Sequence, residues 1–521
     1  MALEFLTSAI ARIVQHLPYY AGLGLFIWVV YSGFVWIYNV FFHPLRNFPG
    51  PMFSAASQIP HAWAGFVGDS HLYPQRLHAQ YGEIVRIAPN ELSFITEQAW
   101  KDIHMHRQDA NGKAVKQLAK HGSIVHGDGV YSILDAPDDV HARQRKMLSH
   151  AFSDRASCAK RRSLKLRAQE PVLQSYADLV MRNLRDDARC NRPVDIVETF
   201  NFFSFDIIAF GESFKACETR EEHPWFAQFA NTIKFGSILA MASPLPFAPI
   251  LMLPFVPFVM KRAKFVFDFT KEKVKSRIAQ GDKEKLDFMA LVLKHNTDDG
   301  NGITIPEIIS TFEALSIAGS ETTATLMSGL MWYLHTNPSV LQKLRKELRT
   351  TFDSDSSINL LKVDQLPYFQ AVVQEALRMY SPIGIAVPRR TPPSGISISG
   401  EWIPGNTTVG MPHLAASWSP TNFAEPTKFA PERHLRNGER PEIYEGDKRG
   451  AMQPFSLGPR GCLGKNLANA EIKLIISRMI YNFDFEVVGG REREDWAVQK
   501  VWGLYDKKPL MLWVKERKEE N

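Results

Sequence analysis

The stretch FSLGPRGCLG, residues 455–464, places a single cysteine, Cys462, between two glycines. Glycine permits unusual backbone angles, so main-chain N–H groups can point at the sulfur and a bound group can approach closely. The segment 465–483 has the pattern of a helix, and its positive dipole end would face a thiolate. Arg460 can pair with an acidic group, and Phe455 can keep water from the sulfur. The stretch predicts a metal-binding thiolate, with a buried structural cysteine as the alternative.

A second stretch, EALR at residues 375–378, places Glu375 and Arg378 one helical turn apart, where the two side chains can pair. Downstream, the stretch FAPERH offers Arg433 as a third partner. An isolated pair at this spacing would by default be exposed and would stabilise the fold little. The alternative is a buried network of the three charged groups.

A third stretch, AGSETT at residues 318–323, lies inside an apolar segment, 311–334, that predicts a helix. Gly, Ser and Thr weaken a helix interior, through backbone freedom at Gly and competition of the hydroxyls for carbonyl groups. Two interpretations follow. The small residues either form a patch for helix packing or leave room for a reaction.

In their order along the chain, these stretches resemble motifs of the cytochrome P-450 family, whose haem-binding signature is F-x-x-G-x-R-x-C-x-G. The resemblance implies a mainly α fold with a minor β part, and haem b with its iron bound by Cys462. It also implies that Ala318 and Gly319 leave room for dioxygen and that Thr322 and Glu321 are catalytic, as hydrogen-bond donor and proton relay. The residues implied to bind the cofactor are Cys462, Arg460, Phe455, Gly458, Gly464, His141, Arg145 and Arg389.

The last three residues of that set rest on weaker matches. HARQR, residues 141–145, stands where the family usually has W-x-x-x-R, so His141 replaces a tryptophan. PRRTPP offers Arg389 as a propionate partner, with Arg390 as the competing choice. For the substrate cavity, the resemblance points to the apolar stretches 382–387 and 502–505. It adds three residues of the central helix: Phe312, Ala314 and Leu315.

The N-terminal part of the chain predicts a membrane anchor. No Lys, Arg, Asp or Glu occurs from residue 13 to residue 45, and the stretch 19–42 is almost wholly apolar. A helix needs about 20 such residues to cross a bilayer. A cleaved signal peptide, the alternative, would have a shorter apolar region and a small-residue cleavage site. We therefore predict a single transmembrane helix within an anchor at 1–44, a stiff proline-rich linker, and a haem-thiolate domain at 45–521.

Composition and patterning set the remaining expectations. The 61 basic and 55 acidic residues give a net charge of +6 without concentrated basic runs, which argues against a nucleic-acid partner. Three further cysteines lack metal-site spacing: Cys158, Cys190 and Cys217. Strand structure is predicted at 82–95, a hairpin with turns at Gly400 and Gly405 at 395–411, and helices at 307–335, 367–380 and 465–482.

The charge-free segment 235–260 is too rich in proline for a second membrane span. We predict that it forms the loop region between two lid helices and dips into the membrane surface, where a lipophilic substrate could enter.

Together these features predict a membrane-bound haem-thiolate monooxygenase that hydroxylates or epoxidises a lipophilic small molecule. The resemblance implies electrons from an NADPH-cytochrome P-450 reductase, with cytochrome b5 as a further donor. It also implies a single-pass protein of the endoplasmic reticulum membrane with a cytosolic catalytic domain. The stretch 38–51, YNVFFHPLRNFPGP, resembles fungal microsomal members, which favours a role in terpenoid or polyketide biosynthesis. A peroxide isomerase or dehydratase of the same fold, and a non-catalytic anchored haem or lipid-binding protein, are the alternatives.

Overall fold

The fold is mainly helical with a minor strand component, as predicted. The computed structural model describes residues 2–108, 114–115, 117–121, 129–152, 159–208, 214–245, 248–279, 289, 292, 302–490 and 495–517. Cys158 lies outside the described residues.

The helices carry most of the described chain. They are α1 (Ala2–Phe41), α2 (Met52–Ala56), α3 (Ile59–Phe66), α4 (Leu72–Tyr81), α5 (Glu97–His104), α6 (Asp138–Phe152), α7 (Ala159–Arg189), α8 (Ile196–Ile208), α9 (Ala216–Thr219), α10 (Pro224–Ala242), α11 (Ala248–Met252), α12 (Val256–Ala279), α13 (Ile305–Thr336), α14 (Pro338–Thr351), α15 (Leu360–Val363), α16 (Pro367–Met379), α17 (His413–Ser417) and α18 (Lys465–Asn482). Short 3-10 helices lie at Leu253–Phe255, Asp355–Ser357, Pro431–His434, Glu442–Tyr444, Arg449–Ala451 and Gly458–Arg460.

The strands are short. They are β1 (Ile84–Ala88), β2 (Glu91–Phe94), β3 (Arg107–Gln108), β4 (Ala114–Val115), β5 (Ala119–Lys120), β6 (Val194–Asp195), β7 (Arg389–Arg390), β8 (Ile396–Ile398), β9 (Glu401–Ile403), β10 (Thr408–Gly410), β11 (Phe483–Val487), β12 (Val501–Trp502), β13 (Leu504–Tyr505) and β14 (Met511–Glu516). The largest sheet has the order β1-β2-β10-β7-β5, and its register places Lys120 opposite Arg389.

The central helix α13 organises the core. Its N-terminus carries a capping box, in which the Thr304 hydroxyl and the Glu307 carboxylate bond reciprocally to backbone N–H groups. Arg143 of α6 pairs with Glu307 at 2.5 Å, which ties α6 to the start of α13. The helix then packs against α8, and most of its side chains from Thr323 to Leu334 are buried in the main apolar cluster. Burial on several sides fits the sequence, which is apolar around most of this helix.

Most of the element predictions are confirmed. The segment 82–95 contains the antiparallel pair β1 and β2, and α13, α16 and α18 coincide with the three predicted helices. The segment 395–411 begins with the predicted hairpin, β8 and β9, which turns at Gly400 with φ at +85°. After Gly405, however, β10 leaves the hairpin and joins β2 and β7 in the larger sheet.

The prediction of a loop between two lid helices at 235–260 is wrong in extent. Helix α10 continues to Ala242, and α11, a 3-10 turn and α12 occupy much of the remainder. The prolines do not interrupt these helices, because Pro249, Pro254 and Pro257 each stand at the second position of a helical element, where no intrahelical N–H is needed. Many side chains here are exposed and apolar, including Ile250, Leu251, Leu253, Phe255, Phe258 and Met260.

The apolar stretch of the predicted anchor is helical and lies in the C-terminal half of α1. Within the described chain, Gly22–Phe41 is the one helix long and apolar enough to span a membrane. Its end is joined firmly to the body, since Nδ2 of Asn39 donates a hydrogen bond to the carbonyl of Ala56 in α2 at 2.9 Å. Leu45, in the linker, has no exposed surface and packs into a core cluster with residues of the large sheet.

Candidate active site

The loop around Cys462 is closed by main-chain hydrogen bonds. The N–H of Cys462 donates to the carbonyl of Phe455 at 2.8 Å, and the N–H of Gly461 donates to that of Gly458 at 3.0 Å. Gly458 has φ at +73°, and a Cβ atom there would lie 2.0 Å from the carbonyl oxygen of His104. Glycine is therefore required at position 458 both by its backbone angle and by a close approach.

The sulfur of Cys462 lies at the N-terminus of α18, which begins at Lys465. The backbone N–H groups of Gly464 and Lys465 lie near enough to favour its thiolate form. The side chain is accessible to a water-sized sphere, yet enough protein surrounds it for burial to raise the pKa of the thiol. The two N–H groups and the charges of Arg145 and Lys465 act in the opposite direction, but burial outweighs them and the pKa of the thiol stays above its usual value. The predicted arrangement of backbone donors at a helix N-terminus is thus present.

Arg460 and Arg145 connect this loop to α6. Arg460 pairs with Asp138 at 2.8 Å and donates to the carbonyl of Ala136 at 2.6 Å. Its remaining terminal nitrogen, Nη1, is buried without a partner among the described residues. Arg145 donates instead to the carbonyl of Gly461 at 2.7 Å, beside the cysteine.

A cluster of buried basic groups lies next to Arg460. Arg389 is 2% exposed, and two of its nitrogens have no partner within the described chain, whereas Arg390 is exposed. Lys120 lies opposite Arg389 in the sheet, and burial together with the charges of Arg389 and Arg460 lowers the pKa of Lys120 to about 8. His141 is also buried, and burial and the charge of Arg460 lower its pKa to about 4.

His104 completes this cluster. Its Nδ1 atom is buried without a partner in the described structure, and burial and the charge of Arg389 lower the pKa of His104 to about 3. Several positive or potentially positive groups therefore face one another with too few acids between them. Such a cluster favours an anion.

Thr322 and Thr323, in the stretch 318–323, lie on different faces of helix α13. Thr322 is partly accessible, like Ala318, whereas Thr323 is buried. Each threonine hydroxyl donates to the carbonyl four residues earlier, from Thr322 to Ala318 at 2.6 Å and from Thr323 to Gly319 at 3.0 Å. These bonds hold the hydroxyls against the helix without breaking it. Leu463 and Leu315 pack against the same apolar cluster, which connects this part of α13 with the cysteine loop.

Glu321 points away from Thr322 towards a lysine that the sequence did not suggest. Its Oε1 accepts a hydrogen bond from Nζ of Lys507, in the segment between β13 and β14. The pair is buried, with the two side chains 11% and 4% exposed. Glu321 also lines a cavity of about 80 Å³ with Trp502, Leu504 and Tyr505 of the β12–β13 hairpin.

The three charges Glu375, Arg378 and Arg433 form the predicted buried network. Arg378 binds both oxygens of Glu375, at 2.9 and 2.8 Å, and Arg433 binds one of them at 3.1 Å. The network includes two further residues, because His434 contacts Glu375 at 2.9 Å and Asp447 pairs with Arg433 at 2.6 Å. Burial alone would raise the pKa of Glu375, but Arg378 and His434 outweigh it and lower the pKa to about 2.

The chain matches a known family over nearly its whole length. A family model described as cytochrome P-450 matches residues 46–512. The chain belongs to the cytochrome P-450 family. Its relatives include cytochrome P-450 monooxygenase astA of Talaromyces wortmannii, 38% identical over 496 residues, 94% of this chain and 96% of the relative. Cytochrome P-450 monooxygenase aclL of Aspergillus oryzae is 38% identical over 502 residues, 94% and 97% of the two chains. Cytochrome P-450 monooxygenase rdc4 of Metacordyceps chlamydosporia is 36% identical over 500 residues, which cover 95% of this chain and 98% of the relative.

Membership makes this chain a monooxygenase-class enzyme with haem iron as cofactor, and enzymes of this kind need a redox partner. The described residues fit a haem. The N–H groups at Cys462 suit a metal-bound thiolate, and the unpaired nitrogens of Arg389, Arg460 and His104 suit two propionates. No described atom lies within 4 Å of the position that a Cβ atom would take at Gly464, so the space there is open.

The sequence did not single out Lys120, His104 or Lys507. Lys120 and His104 become part of the cluster only through strand pairing and the approach of α5 to the cysteine loop. Lys507 stands 186 positions from Glu321 along the chain. Local patterns carry no signal for such contacts.

Proposed function

We propose that this cytochrome P-450 hydroxylates or epoxidises a lipophilic small molecule with dioxygen and electrons from an NADPH-cytochrome P-450 reductase. The environment of Cys462 carries the proposal. A sulfur with two backbone N–H groups near it at a helix N-terminus, beside two buried arginines that have nitrogens without partners in the described structure, suits an anionic thiolate next to a dianionic cofactor. When bound, a haem b with this ligand supplies the activation of dioxygen for insertion of one oxygen atom into a C–H or C=C bond.

The cofactor roles follow from the contacts. Cys462 is the iron ligand, while Phe455 and Gly458 set the shape of its loop and Gly464 leaves space beside the sulfur. The propionates are held by Arg389 and Arg460, since both have buried nitrogens without partners. Two residues of α6 also contribute to cofactor binding. His141 belongs to the basic cluster, and Arg145 supports the cysteine loop through its bond to the carbonyl of Gly461.

The oxygen-handling roles fall to α13. Thr322 has the accessible hydroxyl, so it is the residue that donates a hydrogen bond to oxygen. Its single proton is donated to the carbonyl of Ala318 in this structure, so the hydroxyl must rotate away from that carbonyl to do so. Glu321 supplies protons from the buried side of the same turn.

The surroundings favour an apolar substrate at a membrane. Much of the apolar stretch 382–387 is partly accessible, as are Leu315 and the hairpin residue Leu504. The exposed apolar segment 248–260 extends the surface that can meet lipid. With the helix Gly22–Phe41, this supports a single-pass protein of the endoplasmic reticulum membrane with its catalytic domain in the cytosol. The similarity to monooxygenases of Talaromyces and Aspergillus supports a role in fungal secondary metabolism. Terpenoid or polyketide substrates, and cytochrome b5 as an additional electron donor, belong to the proposal.

The function is tested with purified protein, reductase, NADPH and ¹⁸O₂, using a panel of terpenoids and aromatic polyketides. We expect a product that carries one labelled oxygen and forms only with NADPH. An unlabelled product formed without NADPH would instead establish a rearranging or dehydrating enzyme of the same fold.

The role of Thr322 is tested by comparing Thr322→Ala with Thr323→Ala, which removes the neighbouring buried hydroxyl. Thr322→Ala should still bind haem and consume NADPH, but release more hydrogen peroxide and less product per NADPH, because protons arrive poorly directed. Thr323→Ala should change this ratio less. Unchanged coupling in Thr322→Ala, or a larger loss in Thr323→Ala, would contradict the assignment.

A further inference from the structure

A row of four oxidisable rings runs through the main core cluster. The ring of Tyr505, in β13, lies 4.7 Å from the ring of Tyr380, which directly follows α16. Tyr380 contacts Trp496 at 5.9 Å, and Trp496 contacts Trp332 of α13 at 6.2 Å. Centroid separations of this size are those of aromatic rings in direct contact. The row therefore brings together phenol and indole rings from four separate parts of the chain.

The inner end of the row lies beside the candidate active site. Tyr505 lines the cavity of about 80 Å³ together with Glu321 of α13. A Cβ atom at Gly384 would lie 3.2 Å from the hydroxyl oxygen of Tyr505, so this phenol also adjoins the apolar stretch 382–387. The row thus begins next to the space in which a substrate is expected.

The outer end of the row has a proton acceptor at the surface. Nε1 of Trp332 donates to Oδ1 of Asp495 at 3.1 Å, and Asp495 is exposed. By contrast, Nε1 of Trp496 donates to the carbonyl of Lys508 at 2.9 Å. An indole that loses an electron becomes acidic at its nitrogen, and a carboxylate takes up such a proton far better than a backbone carbonyl. An oxidation that enters the row should therefore end at Trp332.

Packing alone does not explain the tyrosine in the middle of the row. Tyr380 is 2% exposed, and its hydroxyl has no partner in the described part of the chain. A buried hydroxyl without a partner destabilises the folded state, so a phenylalanine would suit this site better. What a phenylalanine lacks is an electron-rich ring. Because no base contacts the Tyr380 hydroxyl among the described residues, its proton stays in place, and a missing electron passes on to the indoles.

We propose that this row of rings carries electrons inwards, from Trp332 to Tyr505 and on to the bound haem, when hydrogen peroxide oxidises the cofactor without a substrate present. At Trp332 the N–H bond breaks and an O–H bond forms on Asp495, which releases the proton to water. A small thiol of the glutathione type then returns an electron and a proton to the indole. Two oxidised thiols join as a disulfide, so each peroxide consumes two thiols and yields two water molecules.

The row would protect the cofactor and its cysteine ligand from oxidation. This role goes beyond oxygen insertion, because it concerns events in which no substrate is bound. It rests on the proposed function only in requiring a haem bound by Cys462.

A second buried tryptophan provides a matched control. Trp225 of α10 is 1% exposed, and its ring contacts Phe229 at 5.2 Å and Phe205 at 5.4 Å. Its Nε1 donates to the carbonyl of Val266 at 3.2 Å. Both its ring neighbours and its N–H acceptor therefore differ from those of Trp332.

The test uses the haem-loaded full chain in detergent, without substrate or reductase, mixed with hydrogen peroxide. Freeze-quench EPR of protein that contains ring-deuterated tryptophan should assign a tryptophan radical, and peptide mass spectrometry should find added oxygen at Trp332 and Trp496 before Trp225. Tyr380→Phe and Trp496→Phe should each lower the radical yield several-fold and speed the bleaching of the haem several-fold. Trp225→Phe should change neither quantity.

Two further measurements separate electron transfer from packing. In urea unfolding, Tyr380→Phe should be at least as stable as the wild type, since it removes a buried hydroxyl without a partner. Faster bleaching in this variant would then not come from a damaged fold. Asp495→Asn has nearly the same shape but takes up no proton, so it should lower the radical yield while leaving the ring contacts in place.

The possible outcomes separate this inference from the proposed function. Equal bleaching rates in the wild type, Tyr380→Phe and Trp496→Phe would overturn the inference, and so would oxidation that reaches Trp225 as readily as Trp332. The starting protein is first checked for the red-shifted band of its reduced carbon monoxide complex. Absence of that band contradicts the proposed function itself, whereas a normal band with variants that all bleach alike contradicts only the electron path.

Discussion

Glu375→Gln removes one charge from the buried network and keeps the shape of the side chain. Glu375, Arg378 and Arg433 have no exposed side-chain surface, so the change leaves two arginines facing an amide. The folded protein holds the pKa of Glu375 at about 2, against an ordinary value of 4.5. At about 1.36 kcal/mol per pH unit, this difference corresponds to roughly 3 kcal/mol of folding free energy. Loss of one partner from a buried pair costs about the same.

The sign of the pH dependence follows from the lowered pKa. A carboxylate whose folded pKa is depressed stabilises the protein above its unfolded value near 4.5, and this stabilisation is lost as the pH falls towards 2. We therefore expect Glu375→Gln to be roughly 3 kcal/mol less stable than the wild type at about pH 7. The difference should shrink to about 2 kcal/mol near pH 3.5, because the wild type weakens.

The assay is equilibrium unfolding of the haem-loaded protein in urea across this pH range, followed by tryptophan fluorescence. The control is Asp268→Asn, which breaks an exposed pair with Lys264 at 2.8 Å and should change the free energy of unfolding by less than about 1 kcal/mol. A difference between wild type and Glu375→Gln that is the same at every pH would refute the reasoning. So would a loss no larger than that of the control.

Three further outcomes are expected. Cys462→Ser should abolish the red-shifted absorption of the reduced carbon monoxide complex, because an alcohol cannot replace the thiolate. The control, Cys217→Ala, changes a buried cysteine outside that loop and should keep the band. The opposite result would show that Cys462 is not the iron ligand. Removal of residues 1–44 should weaken membrane binding in a flotation assay and leave haem content intact in detergent; loss of haem would place the boundary elsewhere. Gly329→Ala should lower the free energy of unfolding in urea by about 1–3 kcal/mol, since its Cβ atom would lie 2.2 Å from a buried tyrosine ring. The control, Gly236→Ala in α10, adds a methyl group in open space and should not destabilise the protein. Equal effects of the two changes would contradict the packing argument.

The features that the sequence predicted correctly are those encoded locally. The fixed spacing of Glu375 and Arg378 on one helix places them side by side wherever that helix lies, and the apolar helix pattern around Thr322 continues through all of α13. The sequence also predicted unusual backbone angles at the glycines around Cys462, and Gly458 has one.

The features that it did not predict depend on distant parts of the chain. Asp447 and His434 join the Glu375 network through loops whose path has no periodic signal. Lys507 reaches Glu321 only because the C-terminal strands pack beside α8 and α13. The extent of α12 was missed because a proline was taken as a helix breaker, whereas at the second helical position it is tolerated.

The hydrogen bond between Asn39 and Ala56 would restrict how the proposed membrane-bound enzyme moves. A body on a flexible tether samples many orientations, and few of its encounters with a membrane-bound electron donor align the two proteins. Here the last turn of the membrane helix is bonded to the first helix of the body, and Leu45 between them is buried in the body. With this helix spanning a bilayer, as proposed, its tilt would set the tilt of the haem domain. The search for a redox partner would then reduce to lateral diffusion and rotation about the membrane normal.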